Sequence, residues 1–292
     1  MRKMRGAQGT TAVLVMWMVT ITGCGAHAGV DRSRPSAVVA FFPIAATVGA
    51  LGGPRLVVRD LTPPGVEPHD LEPTTDQVDA ILDADFVAVM GHGFQPAVER
   101  AAAHRDRNTV VVLDRLSQPS DPHVWLDPPT MVRVTRILAA GLGRAEPRLR
   151  ATIGAGLQST LASLRSLDIE FRNGLRQCDR RMFVTAHDAF GRLARRYGLR
   201  QVAIAGIDPE QDPDPRRLAD LADLVRREHV TTVFTEELVS PRVAETLARE
   251  TGARTRVLNP IESPPRAGKG FAGYLAAMRA NLVGLRAALG CR

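Results

Sequence analysis

The feature that most constrains the fold is a regular alternation of short apolar runs with helical segments. In the first half of the chain the runs SAVVAFFP, LVVRDL, DFVAVMG and NTVVVLD are typical of buried strands. After residue 174 the pattern starts again with the runs MFVTA, QVAIAG, TTVFTEE and TRVLNP. Strands that alternate with helices favour βαβ units around a parallel sheet. The sequence therefore predicts an α/β fold with two mostly parallel sheets.

One long amphipathic segment separates the two alternating halves. Its apolar residues recur every three or four positions, which is the helical period, and they are Leu149, Ile153, Leu157, Leu161, Leu164, Leu167 and Phe171. A helix of about 25 residues is about 37 Å long, enough to run along two lobes, and we expect it to be rigid. We predict an N-terminal lobe over residues 35–146, the connecting helix over 147–173 and a C-terminal lobe over 174–292.

Local signals predict individual elements inside the lobes. Thr74 is followed three residues later by Gln77, which predicts a capping box and a helix that runs to about Leu82. Residues 36–43 read as one buried strand, and the Gly-rich segment after them reads as a turn before the second strand. The last helix is predicted over about residues 274–289.

The N-terminus has the pattern of an export signal. Three basic residues precede an apolar stretch from Thr11 to Ile21, which is too short to span about 30 Å of hydrocarbon. The stretch ends in Ile-Thr-Gly-Cys24, which resembles a bacterial lipobox. We expect residues 1–23 to be a lipoprotein signal peptide, Cys24 to carry the lipid and residues 24–34 to be a tether. The alternative is an ordinary secretory signal with an incidental cysteine. A lipidated chain would be exported and anchored to the outer face of the cytoplasmic membrane.

Charge gives no reason to expect a nucleic-acid partner. The chain has 38 basic and 31 acidic residues, a formal net charge of +7, and no dense basic cluster with interleaved aromatic residues. We predict that the protein does not bind nucleic acid.

Export would place the two remaining cysteines, Cys178 and Cys291, in an oxidising compartment. An even pair there favours a disulfide, and we predict one between them. Two buried thiols are the alternative, because sequence does not supply the Cα separation that a bridge requires.

Three histidines lie where open α/β sheets bind ligands, outside the carboxyl ends of strands. His69 is in a Pro-rich loop, His123 is in the loop SDPHVWLDPP, and His187 directly follows the run MFVTA. Each has aspartates beside it that could accept the second ring N–H and fix the tautomer of a metal-bound imidazole: Asp70, Asp121, Asp127 and Asp188. Spacing alone is weak evidence for a metal site, because the chain has no local HxxxH or CxxC pattern.

Successive motifs along the chain strengthen the prediction of a metal site. PPGVEPHDLEP, DPHVWLDP, VTAHDAFGRLARRYGL, GIDPEQDPDPRRL and VFTEELVSPR resemble, in unbroken order, those of the cluster A-I (cluster 9) metal-binding proteins of bacterial ABC transporters. The resemblance implies two lobes joined by a rigid helix, with His69, His123 and His187 as metal ligands in the cleft. Where the family commonly has Asp after a C-terminal strand, this chain has Asn259. The fourth ligand is therefore Asn259, a water or Glu236, and Glu236 has a structural role as its alternative.

The resemblance implies zinc or manganese as the ligand carried by the protein. A nitrogen-rich site with few carboxylates favours Zn²⁺, whereas Mn²⁺ prefers more oxygen donors. Zinc members often carry a long His-rich loop before the second histidine, and this chain has no such run there, with only His92 and His104 between His69 and His123, which points the other way. We expect a monomeric binding protein that captures a divalent cation, zinc before manganese, and delivers it to an ABC permease and its ATPase without catalysis.

Two other functions remain as alternatives. Three histidines around zinc with an open position also describe a hydrolase, although no HExxH, GxSxG or P-loop motif is present. An adhesin-like or degenerate family member that does not transport metal is the other alternative.

Overall fold

The computed structural model describes residues 34–117, 120–207, 214–266 and 268–292. The predicted signal peptide, Cys24 and the tether up to residue 33 lie outside these residues. Residues 34–292 form one compact unit. Among the described helices, none combines the length and the apolar character that crossing a bilayer requires.

The N-terminal half is built on a four-stranded parallel sheet with the strand order β2-β1-β3-β4. Its strands are β1 (Ser36–Val39), β2 (Val57–Asp60), β3 (Phe86–Val89) and β4 (Thr109–Val111). Its helices are α1 (Phe42–Gly52), α2 (Thr75–Asp83), α3 (Pro96–Ala103) and α4 (Pro128–Ala145). The predicted capping box is present at the start of α2, where Thr74 and Gln77 each accept a backbone N–H of the other.

A single long helix, α5 (Arg150–Gly174), follows a short 3-10 turn over Pro147–Leu149. It occupies the segment in which a connecting helix is predicted. Gly156 on this helix meets α1, and a Cβ atom there would lie 2.4 Å from the backbone oxygen of Ala50. The glycine thus weakens the isolated helix but allows α5 and α1 to pack with their backbones close together.

The C-terminal half repeats the same topology. Its parallel sheet has the order β6-β5-β7-β8, so the first strand again lies inside the sheet. The strands are β5 (Met182–Thr185), β6 (Arg200–Ala203), β7 (Thr232–Thr235) and β8 (Arg254–Val257). The helices are α6 (Gly191–Arg196), α7 (Pro215–Arg227), α8 (Arg242–Thr251) and α9 (Gly270–Leu289). Two parallel sheets and one long helix confirm the predicted fold class.

Helix α1 is missing from the sequence prediction, which assigns residues 36–43 to one strand and the next segment to a turn. The strand ends at Val39, and α1 begins at Phe42 with Pro43 in its first turn. Nearly every residue of α1 is buried, because the helix packs against both α5 and α9. A helix that is apolar on all sides has no amphipathic period, so the pattern resembles a buried strand.

The largest apolar core is shared by both halves of the chain. It contains aromatic residues from the N-terminal half, from α5 and from the C-terminal half, among them Phe41, Trp125, Phe171, Phe234 and Tyr274. Hydrogen bonds cross between the halves in the same region: Trp125 Nε1 donates to the Pro260 oxygen at 2.7 Å, and the Tyr274 hydroxyl donates to the Trp125 oxygen at 2.6 Å. A shared close-packed core opposes hinge opening of the two halves.

A disulfide joins Cys178, just after α5, to Cys291, just after α9. Backbone hydrogen bonds accompany it, since Arg180 N donates to the Leu289 oxygen and Arg292 N donates to the Gln177 oxygen, both at 3.0 Å. The C-terminus is therefore fastened to the segment that leads into β5.

Candidate metal centre

Four side chains converge where loops leave the carboxyl ends of the parallel strands. His69 lies between β2 and α2, His123 lies between β4 and α4, and His187 follows β5 directly. The fourth is Glu262, in the loop between β8 and α9. The two halves of the chain contribute two side chains each, because the carboxyl ends of both parallel sheets face the same cleft.

Four of the distances between the donor atoms are close to those of a tetrahedral zinc site. Nε2 of His123 and Nε2 of His187 are 3.4 Å apart. Oε1 of Glu262 lies 3.6 Å from Nε2 of His69, 3.5 Å from that of His123 and 3.7 Å from that of His187. Zinc bonds of about 2.0–2.1 Å at tetrahedral angles require edges of about 3.4 Å. All four donor atoms lie within 4.8 Å of one another, so one zinc-sized ion fits between them if the donors move slightly inward.

The cluster is buried and contains polar atoms that lack hydrogen-bond partners, and a bound cation would give those atoms a partner. The side chains of His123, His187 and Glu262 are at most 1% exposed, and that of His69 is 9% exposed. Among the described residues, Nε2 of His69 and Oε1 of Glu262 are buried and have no hydrogen-bond partner. Burial of a carboxylate oxygen costs folding free energy unless the oxygen accepts a hydrogen bond, pairs with a cation or coordinates a metal. These two atoms thus favour a cation at the centre of the four donors.

Two of the imidazoles are oriented by carboxylates on their far side. Nδ1 of His187 lies 2.5 Å from Oε2 of Glu236, and Nδ1 of His123 lies 3.2 Å from Oδ1 of Asp121. When Nδ1–H donates a hydrogen bond to a carboxylate, Nε2 of the neutral ring is unprotonated, and its lone pair can bind a metal. The adjacent aspartates do not all serve as the sequence suggests, because Glu236 rather than Asp188 orients His187.

The candidate fourth ligands from the sequence lie elsewhere. Glu236 contacts Nδ1 and the backbone N–H of His187 rather than the centre of the cluster, which matches the structural role given as its alternative. Asn259 is outside the cluster, because its Oδ1 accepts the Ile261 N–H at 2.6 Å. The position of the fourth donor is occupied by Glu262, three residues beyond Asn259.

Sequence reasoning missed Glu262, although one signal was available. Glu262 lies in a Pro-rich loop after the last strand, as His69 lies in a Pro-rich loop after β2. Its direction depends on Ile261, a buried residue with φ +63°, in the left-handed region that β-branched residues rarely adopt. The turn held by Asn259 and Ile261 aims Glu262 at the histidines, and no sequence pattern specifies such a turn for isoleucine.

The charges of the metal-free cluster are strongly coupled. Burial alone lowers the pKa of His123 and of His187, but the carboxylates that face each ring raise both values above the ordinary 6.5. Burial alone raises the pKa of Glu262, but the three facing imidazoles hold it well below the ordinary 4.5. Without a metal, the cluster therefore binds protons on histidine near neutral pH while Glu262 stays ionised.

A second carboxyl group, Glu67, lies at the edge of the cluster. Its Oε1 accepts the backbone N–H of His69 at 3.4 Å and lies 4.0 Å from Nε2 of the same residue. Burial, followed by the nearby Glu262 carboxylate, raises the pKa of Glu67 to about 8. Glu67 is therefore largely protonated at neutral pH and adds little negative charge to the metal-free cluster.

Another histidine that follows a strand, His92, is not part of the cluster. His92 follows β3 at φ +59°, and its Nε2 lies 3.0 Å from Oδ1 of Asp114 in an exposed pair. This contact explains the position of His92 on the surface without a role in the centre.

Glu236 provides a test of the orienting contacts. In a Glu236→Gln variant the amide cannot accept both the ring N–H and the backbone N–H of His187, since one of its two atoms is a donor. We expect zinc affinity to fall by about tenfold or more, the usual cost of losing such a partner. Isothermal titration calorimetry at neutral pH measures this change. The adjacent exposed Glu237→Gln is the matched control, and equal affinities of the two variants would contradict the assigned role.

Comparisons with known proteins identify a family for this chain. A family model described as zinc-uptake complex component A, periplasmic (ZnuA) matches residues 37–288. The chain is 32% identical over 254 residues to the high-affinity zinc uptake system protein ZnuA of Bacillus subtilis strain 168, covering 78% of this chain and 79% of that protein. It is 31% identical over 276 residues to the zinc-binding lipoprotein AdcA of Streptococcus pneumoniae strain R6, covering 85% of this chain and 54% of AdcA. The chain thus spans about half the length of the AdcA relatives that it matches.

A solved structure gives the same result for the fold. The laminin-binding protein Lmb of Streptococcus agalactiae, described as a bifunctional protein with adhesin and metal transporting activity, matches with a TM-score of 0.81 at 31% identity. The match covers 87% of this chain and 99% of that chain. The similarity therefore extends over both sheets and the long helix.

Proposed function

The chain belongs to the ZnuA family of zinc-uptake complex components, and from this membership we propose that it is the zinc-binding protein of an ABC importer. It captures Zn²⁺ outside the cytoplasmic membrane in the cleft formed by His69, His123, His187 and Glu262, and it delivers the ion to a permease driven by an ATPase. The ion is the cargo of the protein and takes part in no reaction there.

One observation carries this proposal: four buried donor atoms lie within 4.8 Å of one another, and two of them have no hydrogen-bond partner among the residues that the structure describes. Three imidazole nitrogens and one carboxylate oxygen form a set that suits Zn²⁺. Mn²⁺ takes more oxygen ligands and prefers six-coordinate geometry, so we rank it as the weaker cargo.

The same donor count favours a binding protein over an enzyme. Catalytic zinc sites keep an open position for water or substrate, whereas sites with four protein ligands are closed. With Glu262 as the fourth donor, the centre has no open tetrahedral corner. Adhesion, which the description of the Streptococcus agalactiae relative names beside metal transport, has no support in the contacts of this cluster.

The location of the protein is part of the proposal. The lipobox-like sequence that ends in Cys24 supports a lipid anchor on the outer face of the cytoplasmic membrane, beside the permease. The relative from Streptococcus pneumoniae is named a lipoprotein, which agrees with this location. We expect the protein to act as a monomer.

A binding and uptake experiment tests the proposed function. Trp125 is fully buried, its ring centroid lies 5.2 Å from that of His123, and the only other tryptophan is in the predicted signal peptide. Zinc should therefore change the emission of Trp125 with a stoichiometry of about one. Cells that lack the protein should take up less zinc from chelated medium, and the wild-type gene should restore uptake where a His123→Ala gene does not. Absence of binding in excess zinc would disprove the function.

Acid should release the metal, and the shifted pKa values of the cluster determine the pH range in which release occurs. Because the pKa values of His123 and His187 lie above 6.5 in the metal-free state, protons compete with zinc already at neutral pH. Those raised values stabilise the metal-free fold below pH 6.5, and this contribution is lost as pH rises through them. The lowered pKa of Glu262 stabilises the fold fully above pH 4.5, and this contribution is lost as the pH falls from 4.5 through the lowered pKa.

We therefore expect opposite trends for the two forms. As pH rises from 6 to about 8.5, the metal-free protein should lose thermal stability, while the increase in Tm caused by zinc should grow. Thermal unfolding with zinc and with a chelator at each pH measures both trends. A zinc-induced increase in Tm that does not change over this range would contradict the assigned protonation.

A further inference from the structure

The carboxylate that orients His123 is itself held by arginines from α6. Oδ1 of Asp121 faces Nδ1 of His123 and accepts its backbone N–H at 3.1 Å. Oδ2 of the same carboxylate lies 3.2 Å from a guanidinium nitrogen of Arg195 and 3.8 Å from one of Arg192. Asp121 therefore connects a proposed zinc ligand with the arginines of the C-terminal half.

One of these arginines reaches the solvent. The side chain of Arg195 is 64% exposed, whereas that of Asp121 is 18% exposed. Arg192 is buried, and its Nε also donates to the Asp121 backbone oxygen at 2.8 Å. Arg192 thus fixes the backbone of the loop, while Arg195 holds the carboxylate from the outside, where another molecule can contact it.

A basic cavity of about 360 Å³ lies at this surface. Four arginines and one carboxylate contribute to its lining, which consists of Asp127, Pro129, Thr130, Arg133, Arg192, Arg195 and Arg196. Arg133 donates to the Thr130 hydroxyl at 3.2 Å, and within the described part of the chain it has no ion-pair partner. The lining therefore carries an excess of positive charge that attracts anionic groups.

The chemistry of the lining selects the kind of partner. Guanidinium groups bind carboxylates through two parallel hydrogen bonds, which gives direction as well as attraction. Several arginines at one concave surface suit several carboxylates, as in an acidic stretch of polypeptide. Asp121 contacts only one nitrogen of the exposed Arg195 side chain, so an incoming carboxylate can bind the other N–H groups and then compete with Asp121 for the same guanidinium.

We propose that this basic cavity docks an acidic segment of the transporter, which draws Arg195 away from Asp121 and so loosens His123 and speeds zinc release. The inference rests on the proposed function. Two effects oppose each other: loss of Arg195 increases the negative charge near the ion, and it frees the carboxylate that orients a ligand. The charge effect is screened by solvent at an exposed side chain. Complete loss of an orienting partner costs about 10–100-fold in affinity, and a loosened Asp121 loses part of that, so we expect the loosening effect to be the larger.

The test follows zinc loss to a chelator by the emission of Trp125, with a hexaglutamate peptide as the probe. At low ionic strength we expect the peptide to accelerate zinc loss by about tenfold in the wild-type protein. High salt should abolish the effect, and hexaglutamine should have none. In Arg195→Gln, zinc loss should be faster without peptide, and the peptide should add nothing. Arg254→Gln, an exposed arginine on β8, is the matched control and should respond as the wild type does.

Each other outcome overturns the inference. Equal acceleration in Arg195→Gln would mean that the peptide only chelates zinc, and acceleration by inorganic phosphate alone would mean that the cavity binds any anion. Acceleration by vesicles of anionic phospholipid but not by the peptide would make the face a membrane contact. If the wild-type protein holds zinc but the peptide has no effect, the inference fails and the proposed function stands. If the wild-type protein binds no zinc, both fail.

Discussion

A Glu262→Gln variant should lose zinc affinity by about a hundredfold or more, the largest effect on binding that we expect from a single substitution. The substitution keeps the size of the side chain and removes the only carboxylate among the four donors. It also removes the negative charge that three imidazoles face at 3.5–3.7 Å. A neutral amide oxygen is a poorer ligand for a cation, and with three neutral imidazoles none of the four ligands would carry a negative charge.

Competition with a chromophoric chelator measures this loss over several orders of magnitude. Glu245→Gln, an exposed glutamate on α8, makes the same chemical change away from the cluster and should bind zinc as the wild type does. Asn259→Ala keeps all four donor side chains and removes the Oδ1 that holds the turn at Ile261, so its affinity should fall less than that of Glu262→Gln. If the Asn259 variant loses more affinity than the Glu262 variant, the fourth ligand has been assigned to the wrong residue.

Removal of the disulfide should have the largest effect on stability. Cys178 and Cys291 are 113 positions apart, and opening a loop of that size returns unfolded-chain entropy worth about 4–5 kcal/mol. We expect the double variant Cys178→Ser, Cys291→Ser to lose about 4 kcal/mol of unfolding free energy, as measured by urea denaturation of the metal-free protein. Measured losses often fall below the entropic value, so about 2 kcal/mol sets the lower end of the expected range.

Zinc binding should be nearly unchanged in that double variant while it remains folded. Cys178 precedes β5, whereas His187 follows the opposite end of the same strand. The wild-type protein treated with a reductant is the control and should unfold at the same urea concentration as the variant. Equal stability of the oxidised wild type and the double variant would show that the bridge does not constrain the unfolded chain.

The contrast between α2 and α1 shows which parts of the fold the sequence predicts. Helix α2 is half exposed and begins with a capping box, so two side chains, those of Thr74 and Gln77, mark its N-terminus in the sequence. Helix α1 is surrounded by other elements, and its pattern has no polar face from which to read a period. Periodicity reports a boundary between core and solvent, and an element without that boundary leaves no such signal.

The residues of the candidate centre also fall into two groups, those that the sequence indicates and those that only the structure identifies. His69, His123 and His187 could be proposed from their position after strands and from the resemblance of their motifs. Glu236, a candidate ligand in the sequence analysis, lies behind His187, and Glu262, which the sequence analysis does not name, faces all three histidines.

The sequence by itself determined the α/β class, the long helix, the cysteine pair and the three histidines, because each depends on periodicity, composition or a local motif. Only the tertiary structure decided the fourth donor, the partners of the imidazoles and the link from His123 to an exposed arginine. Those contacts join residues up to about two hundred positions apart through the packing of two sheets and a left-handed turn at Ile261. Distances between such residues arise from the packing of the whole chain, and no local pattern encodes them.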